Sequence, residues 1–235
     1  MDSLPSDGFA VFNGDNKHSL KMFENCLVKC KAVFTHRSEK GVYADNIQLN
    51  NNGSSFTLKG LGADVTLTTR LLGRHNIINI LLCLTLAAEL GIELPDLVEV
   101  VKSLKPVPHR LELLDTKGGV TVIDDSYNGN LEGVRFALEV LSLYQDRRKV
   151  VFTQGIVELG NKQAEINQLV GSMTAEVADV VILTGENAAY IKLGLYNSGF
   201  PSGNVHVFKT FQDASDGLKT ILRNNDVLLI QNDIP

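Results

Sequence analysis

The second half of the chain alternates short apolar runs with longer amphipathic stretches, and this alternation constrains the fold more than any other feature of the sequence. The short runs have the length of buried strands, and the longer stretches repeat apolar residues at helical spacing. The predicted strands are residues 111–114, 120–123, 149–153, 180–184, 205–208 and 227–230, and the predicted helices are residues 131–144, 163–178, 187–198 and 211–223. Because parallel strands need crossover helices, the pattern predicts an α/β fold with a doubly wound, mostly parallel sheet.

The first half of the chain mixes two kinds of pattern. Residues 9–12 and 31–35 are predicted strands on either side of a helix predicted over residues 20–30, as at the end of a parallel β/α array. Residues 41–70 contain alternating stretches separated by turns rich in Asn and Gly, which is typical of an antiparallel meander.

Two predicted helices close this half of the chain. The first, residues 76–90, is strongly apolar and is followed by a glycine that suits a helix C-terminus, and the second covers residues 95–104. Pro106 and Pro108 then interrupt the helical pattern. We place a domain boundary there, which gives two predicted domains, residues 1–107 and 108–235.

Composition and charge favour an ordinary soluble globular protein. The 235 residues are 44% hydrophobic and 21% charged, and the formal net charge of −5 comes without a cluster of Lys and Arg for a nucleic acid to bind. The longest apolar run, residues 77–88, falls short of the roughly 20 residues that a bilayer span needs, and no secretory leader opens the chain. We therefore expect a cytoplasmic protein with no nucleic-acid or membrane partner.

The cysteine pattern favours free thiols over disulfides. Cys26 and Cys30 are four residues apart on the predicted helix, and Cys83 is remote from both. An odd count without a CxxC motif is typical of a reducing compartment. No further Cys or His follows at metal-ligand spacing, so a metal site on this pair is not expected.

A dense polar cluster, residues 124–130, follows the predicted strand at residues 120–123. The carboxyl end of a buried strand, just before a helix, is the usual position of a nucleotide in an α/β sheet. Asp124 and Asp125 are candidates to accept hydrogen bonds from ribose hydroxyls, although an Asp at this position can instead cap the following helix. The number of polar residues exceeds what one cap requires, which favours the functional interpretation.

Other candidates have equally simple alternatives. Arg110, just after the proline-rich hinge, suits a nucleotide base or phosphate, or else a surface ion pair. Asn76 and Asn13 are candidate site residues, but at these positions a polar residue can instead serve as a helix cap or a turn residue. Glu158 lies in a strand-to-helix loop, residues 154–160, which is either a substrate loop or a plain connection. The chain contains no GxxxxGK[ST] phosphate-binding loop.

Three motifs carry a resemblance to a known family. They are GRHNIINIL at residues 73–81, SLKPVPHRLELL at residues 103–114 and VIDDSYNGN at residues 122–130. In this order and spacing they resemble the Mur ligases of peptidoglycan synthesis, and the resemblance extends over essentially the whole chain. It is greatest to the branch that adds D-alanyl-D-alanine to a UDP-MurNAc-peptide.

The resemblance implies a division of labour between domains. Residues 1–107 look like the C-terminal half of a central ATP-binding domain, and residues 108–235 look like a Rossmann-like C-terminal ligase domain. The family makes an acyl phosphate from ATP and a carboxylate, which an amine then attacks, with Mg²⁺ and cations neutralising the charge. The family's phosphate loop and metal ligands precede the matching segment, so the implied cofactors are ATP and Mg²⁺, with the metal ligands expected upstream of this chain.

The resemblance also assigns roles residue by residue. No complete catalytic set and no metal ligand is expected in this chain. Asn13 and Asn76 look like adenine-side contacts, Arg110 like a nucleotide contact across the hinge, and Asp125 like the ribose-binding carboxylate, while Ser126, Tyr127 and Asn130 line the interdomain cleft and Glu158 belongs to a substrate loop.

Two departures from the family pattern bear on the amine substrate. Leu131 stands where the family usually has Pro after DDSYNxN, and residues 155–160 read GIVELG where the family commonly has GDMLELG. Because the Asp of the family loop is absent here, the sequence does not determine whether the amine substrate is D-Ala-D-Ala or another amine. Folylpolyglutamate synthases and cyanophycin-type ligases share the architecture but fit the DDSYN form less well.

The sequence therefore predicts a fragment of an ATP-dependent peptide ligase that is inactive as an isolated chain, for which the missing N-terminal ligase domains are the natural partner. The alternatives are a non-catalytic subunit or relic that binds nucleotide or amine, and a related Mur-type ligase such as a folylpolyglutamate or cyanophycin synthetase.

Overall fold

The structure, a computed structural model, describes residues 4–114, 116 and 118–232. The chain divides into two compact units, Met1–Lys105 and Pro106–Pro235. Within the described residues, none of the helices combines the length and hydropathy that a membrane crossing needs.

The first unit is a five-stranded sheet with three helices. Its elements are β1 (Phe9–Asn13), α1 (Lys17–Glu24), β2 (Lys29–Phe34), β3 (Gly41–Asn50), β4 (Gly53–Lys59), β5 (Val65–Thr69), α2 (Arg74–Glu89) and α3 (Leu94–Ser103). The strands lie in the order β1-β2-β3-β4-β5. The pairs β1–β2 and β2–β3 are parallel, whereas β3–β4 and β4–β5 are antiparallel, which confirms the predicted meander.

One continuous hydrophobic core joins this sheet to α2 and α3. Strand residues such as Val33, Phe56 and Leu67 pack with Ile77 and Leu81 of α2, all of them almost completely buried. The many apolar residues of α2 therefore have a simple explanation, because the helix covers the sheet. The turn after α2 is closed by Gly91, whose φ of 84° is accessible to glycine with little strain.

The prediction of a helix over residues 20–30 was wrong. Helix α1 ends at Glu24, and Cys30 lies in β2, where it pairs with Ala10 of β1. Leu27 is 95% exposed, so it does not continue an apolar helical face. The apolar spacing imitates a helix, but the parallel ladder with β1 satisfies the backbone from Lys29 onward and overrides that local pattern.

The second unit is a six-stranded sheet flanked by helices. Its elements are β6 (Glu112–Leu114), β7 (Thr121–Asp125), α4 (Leu131–Ser142), β8 (Lys149–Thr153), α5 (Gln163–Ala175), β9 (Val180–Leu183), α6 (Ala188–Asn197), β10 (Val205–Val207), α7 (Phe211–Ile221) and β11 (Val227–Gln231). The strand order is β10-β9-β8-β11-β7-β6, and only the β6–β7 pair is antiparallel. The predicted doubly wound α/β fold is confirmed.

Helices cover both faces of this second sheet. The chain steps in one direction from β7 to β8, β9 and β10, so right-handed crossovers place α4, α5 and α6 on one face. The return to β11 places α7 on the other face, where Ala214 and Phe211 pack with Phe152, Ile182 and Leu228. Alternation along the strands then assigns each side chain to one of the two faces.

The register aligns the carboxyl ends of the parallel strands. Asp125 of β7 is opposite Gln231 of β11, which is opposite Thr153 of β8, and Thr153 is opposite Leu183 of β9. Because residues in register share a face, Asp125, Gln231 and Thr153 form a polar row on the α4–α5–α6 side. This row marks the edge of the sheet where the candidate site lies.

Candidate functional site

Asp124 fastens the polar turn after β7 to the segment that follows the hinge. Its Oδ2 atom is 2.8 Å from His109 Nδ1, and its Oδ1 atom accepts a hydrogen bond from the Ser126 N–H at 3.0 Å. Ser126 Oγ also lies 3.4 Å from the same His109 nitrogen. Both contacts use one ring nitrogen, so the three residues do not form a relay of the Ser-His-Asp kind, which needs both nitrogens. Asp124 therefore positions the turn.

Asp125 has the environment of a functional carboxyl group. Its Oδ1 atom accepts a hydrogen bond from the Leu111 N–H at 3.2 Å, and its carbonyl accepts one from the Asn232 N–H at 3.2 Å. Burial raises the pKa of Asp125 to about 7, although the Leu111 N–H and the charge of Arg110 act in the opposite direction. A carboxyl group that changes protonation state near neutral pH at a sheet edge is typical of a functional site.

Asp125 is not the cap of helix α4. The N-cap is Asn130, whose Oδ1 atom accepts a hydrogen bond from the Gly133 N–H at 2.9 Å. Asn130 therefore accepts the hydrogen bond that the helix terminus needs, and the Asp125 carboxyl group remains available for another partner.

Arg110 is held in place by two neighbours from the polar turn. Its Nη1 and Nη2 atoms donate to the carbonyl and the side-chain oxygen of Asn128 at 3.2 and 2.9 Å. Its guanidinium carbon lies 4.3 Å from the centre of the Tyr127 ring, a cation–π geometry. Among the described residues no acidic side chain forms an ion pair with Arg110. The surface ion pair that the sequence allowed is therefore not what holds this guanidinium.

The backbone on both sides of Arg110 is strained. His109 and Leu111 have φ values of 62° and 47°, in the left-handed region that side chains rarely adopt. The His109 N–H donates a hydrogen bond to Glu112 Oε2 at 3.2 Å. The His109 carbonyl oxygen accepts one from the Tyr127 N–H at 3.3 Å. Together with the buried Leu111 side chain, these contacts fix an uncommon conformation that directs Arg110 toward the turn.

Gln231 and Asn232 are site residues that the sequence did not suggest. They are 0% and 1% exposed, and no described residue forms a hydrogen bond with either side-chain amide. Asn232 lies against Gly129, where an added Cβ would collide with its side-chain oxygen. A buried amide without a partner is unusual and calls for a water or a ligand. In the sequence, these two polar residues follow an apolar strand, a pattern that does not distinguish a site residue from a turn residue.

The loop that carries Glu158 is rigidly supported by three amide side chains. Asn167 accepts from the Ile156 N–H and donates to the Ile156 carbonyl, both at 2.9 Å. Gln163 and Asn187 donate to the same carbonyl at 2.6 and 3.3 Å. Glu158 itself is exposed, with a φ of 61°. The loop leaves the same sheet edge as the Asp125 turn, because β8 and β7 both flank β11.

The first unit carries the two remaining candidates. Asn13 Oδ1 accepts a hydrogen bond from the Asp15 N–H at 3.0 Å, so Asn13 shapes the turn after β1. Asn76 does not cap α2, because Gly73 is the N-cap and the Asn76 amide donates to the Leu72 carbonyl at 2.8 Å. Burial of the neighbouring His75 lowers its pKa to about 4.

No group of three or more His, Cys, Asp or Glu side chains that could hold a metal ion occurs in the part of the chain that the structure describes.

Comparison with known proteins identifies the family of this chain. Residues 109–231 match the family described as "Mur ligase, glutamate ligase domain", and residues 1–87 match the "Mur ligase middle domain". A UDP-N-acetylmuramoyl-tripeptide–D-alanyl-D-alanine ligase from Buchnera aphidicola is 28% identical over 72% of this chain and 36% of its own length. The Bacillus subtilis ligase of the same name is 24% identical over 98% of this chain and 50% of its own length.

Solved structures show the same fold. MurF from Acinetobacter baumannii superposes with a TM-score of 0.82 at 23% identity, over 97% of this chain and 49% of that chain. MurF from Thermotoga maritima in complex with ADP gives a TM-score of 0.80 at 19% identity, over 97% of this chain and 50% of that chain. The chain spans about half the length of these relatives, or less. With one family match covering more than half of its residues, the chain belongs to the Mur ligase family.

Proposed function

We propose that this chain supplies the nucleotide-binding and amine-binding parts of an ATP-dependent ligase that adds D-Ala-D-Ala to a UDP-MurNAc-peptide. In this reaction a substrate carboxylate takes the γ-phosphoryl group of ATP, and the amine then attacks the acyl phosphate and releases phosphate. The observation that carries the proposal is the arrangement of Arg110 and Asp125 at the carboxyl edge of the second sheet. The names of the related proteins support the choice of substrates.

Asp125 and Arg110 have complementary roles in this proposal. When ionised, the Asp125 carboxylate accepts hydrogen bonds from the two ribose hydroxyls, for which a short acidic side chain at a strand end is suited. Arg110 uses two N–H groups on Asn128 and retains others for a nucleotide. Tyr127, 58% exposed beside Arg110, and Ser126 complete this surface. Asn13 and Asn76 are proposed contacts of the adenine base of the nucleotide.

We propose that Glu158 contributes to the amine side of the site. Its exposed carboxylate suits the ammonium group of a dipeptide. Gln231 and Asn232 share the sheet edge with Asp125, but their side-chain amides are shielded from solvent, so they support this edge from within and do not contact the dipeptide.

We further propose that the isolated chain binds nucleotide but does not catalyse ligation. The sequence has no phosphate-binding loop with the GxxxxGK[ST] pattern, whose backbone and Lys would hold the β- and γ-phosphates. Mg²⁺ ligands and the UDP-sugar site are assigned in this proposal to the missing N-terminal ligase domains, in the same chain or in a separate subunit.

Calorimetry with ATP and ADP tests the proposal on the 235-residue chain. Asp125→Ala and Arg110→Ala should each weaken binding by at least about tenfold, since a charge-assisted hydrogen bond contributes about 1.5–3 kcal/mol. Asp146→Ala removes an exposed carboxyl group of the same unit and is the matched control. Wild-type affinity in both site variants would refute the nucleotide assignment. Release of phosphate coupled to ligation by the isolated chain would refute its proposed dependence on the missing domains.

A further inference from the structure

His109 combines an uncommon backbone conformation with a side chain that contacts a largely buried carboxylate. Its φ of 62° lies in the left-handed region, which most side chains avoid but which Asn, Asp and His adopt more often than others. Its Nδ1 atom lies 2.8 Å from Asp124 Oδ2, and the Asp124 side chain is only 10% exposed. Because an ionised carboxylate only accepts hydrogen bonds, the ring nitrogen is the donor in this contact.

The backbone of His109 is also held at both of its polar groups. Its N–H donates to the Glu112 side chain at the start of β6, and its carbonyl oxygen accepts from the Tyr127 N–H of the polar turn. With the bond to Asp124, three hydrogen bonds join His109 to β6, to β7 and to the turn after β7. His109 is therefore the best-anchored residue of the segment that leads to Arg110.

Two site contacts begin at the residues that follow His109. Arg110 donates to the backbone carbonyl and the side chain of Asn128, and the Leu111 N–H donates to Asp125 Oδ1. Asn128 is neutral, so the direction of the guanidinium depends on where the backbone places Arg110. A displacement of His109 would therefore carry Arg110 away from the polar turn.

We propose that His109 is a positioning residue for Arg110, because the hydrogen bond from its Nδ1 atom to Asp124 fixes the left-handed segment that presents the guanidinium to the nucleotide. His109 acts through Arg110 and not by contact with the nucleotide. This role rests on the proposed function, since it requires Arg110 to bind the nucleotide. It restricts position 109 to residues that tolerate a left-handed backbone and carry a donor for Asp124.

Two substitutions separate the backbone conformation of His109 from its side chain. Gly adopts a positive φ readily and keeps the backbone hydrogen bonds, but it has no donor for Asp124. Asn also tolerates the left-handed region, and its Nδ2 atom is as many bonds from Cα as the Nδ1 atom of His. His109→Gly thus removes the bond to Asp124, whereas His109→Asn retains a donor for it.

Calorimetry with ADP measures the effect of both substitutions, each with and without Arg110→Ala. His109→Gly should weaken ADP binding by about fivefold, while His109→Asn should remain within about twofold of the wild type. In the Arg110→Ala background, His109→Gly should change the affinity by less than about twofold, because its effect is transmitted through Arg110. Asn225→Gly is the matched control, since Asn225 has a φ of 71° and precedes β11 at the opposite edge of the sheet. It should bind ADP as the wild type does.

Three results would overturn the proposal. Wild-type affinity in His109→Gly, with lower stability to urea, would show that the bond to Asp124 serves the fold alone. An equal loss with and without Arg110 would show that His109 does not act through it. A loss in His109→Asn as large as in His109→Gly would show that the donor to Asp124 is not the cause. Wild-type affinity in Arg110→Ala would refute the nucleotide assignment itself, and the role of His109 with it. Circular dichroism verifies that each variant is folded.

Discussion

Replacing Asp125 by Asn should change the pH dependence of stability in a defined direction. Burial raises the pKa of Asp125 from 3.8 to about 7, so the folded protein binds a proton that the unfolded chain has released over this range. The free energy of unfolding should therefore fall as pH rises from about 4 to about 7. Asn cannot ionise, yet its side-chain oxygen can still accept from the Leu111 N–H.

The size of the effect follows from the same values. The difference between 3.8 and about 7 corresponds to about 4 kcal/mol at about 1.36 kcal/mol per pKa unit. Between about pH 5 and about pH 8, ionisation of Asp125 should lower the free energy of unfolding by about 2.7 kcal/mol. Solvent screening at the partly exposed carboxyl group reduces this loss to about 2 kcal/mol. Asp125→Asn should thus match the wild type near pH 5 and exceed its stability by about 2 kcal/mol near pH 8.

Urea unfolding followed by circular dichroism measures this difference, because the chain has no Trp for fluorescence. The two units are compared through separate transitions where these resolve, since a two-unit chain need not unfold in one step. Asp146→Asn, at an exposed position of the same unit, controls for the substitution itself. A stability difference between Asp125→Asn and wild type that stays constant from pH 5 to pH 8 would show that Asp125 is ionised throughout and that the reasoning from burial is mistaken.

Substitutions at Asn130, Gly171 and Asn167, two of them with a control variant, test by urea unfolding how the second unit supports the site. Asn130→Ala removes the N-cap of α4 and should lower the free energy of unfolding by about 1 kcal/mol. Asn130→Asp should retain most of the stability, because Asp is also a good N-cap residue. Gly171→Ala places a Cβ against a backbone carbonyl of α6 and should cost at least about 2 kcal/mol, while Gly203→Ala, which faces open space, should change stability by less than about 0.5 kcal/mol. Asn167→Ala leaves the Ile156 N–H without its acceptor and should cost about 2–4 kcal/mol; a loss below 0.5 kcal/mol would show that the loop does not depend on it.

The fold of the second unit could be predicted because its pattern is regular. Each predicted strand and helix of that unit is present, with ends that differ by a few residues, since helix ends depend on caps that periodicity does not show. The beginning of the first unit could not be predicted in the same way. At residues 20–30 the apolar spacing suggests one helix, and only the pairing partner, β1, decides that Lys29 begins a strand.

The candidate site could be predicted only in part. The polar cluster after β7 identified Asp125 and Tyr127, since density of polar residues is visible in a sequence. The roles of Asn128 and Asp124 depend on contacts with Arg110 and His109, some 15–18 residues earlier, which no local pattern reveals. Gln231 lies about a hundred residues from Asp125 in the chain, and only the parallel register of β11 and β7 makes them neighbours.

The position of β11 has a consequence for how the second unit is made in the cell. This strand is the last of the described strands in sequence but lies between β8 and β7 in space. During synthesis, β7 and β8 leave the ribosome without the strand that joins them, so the sheet remains in two separate parts until residues 227–231 emerge. A premature stop before residue 227 would therefore delete the strand in the middle of the sheet, and the released chain should be a substrate for chaperones and proteases.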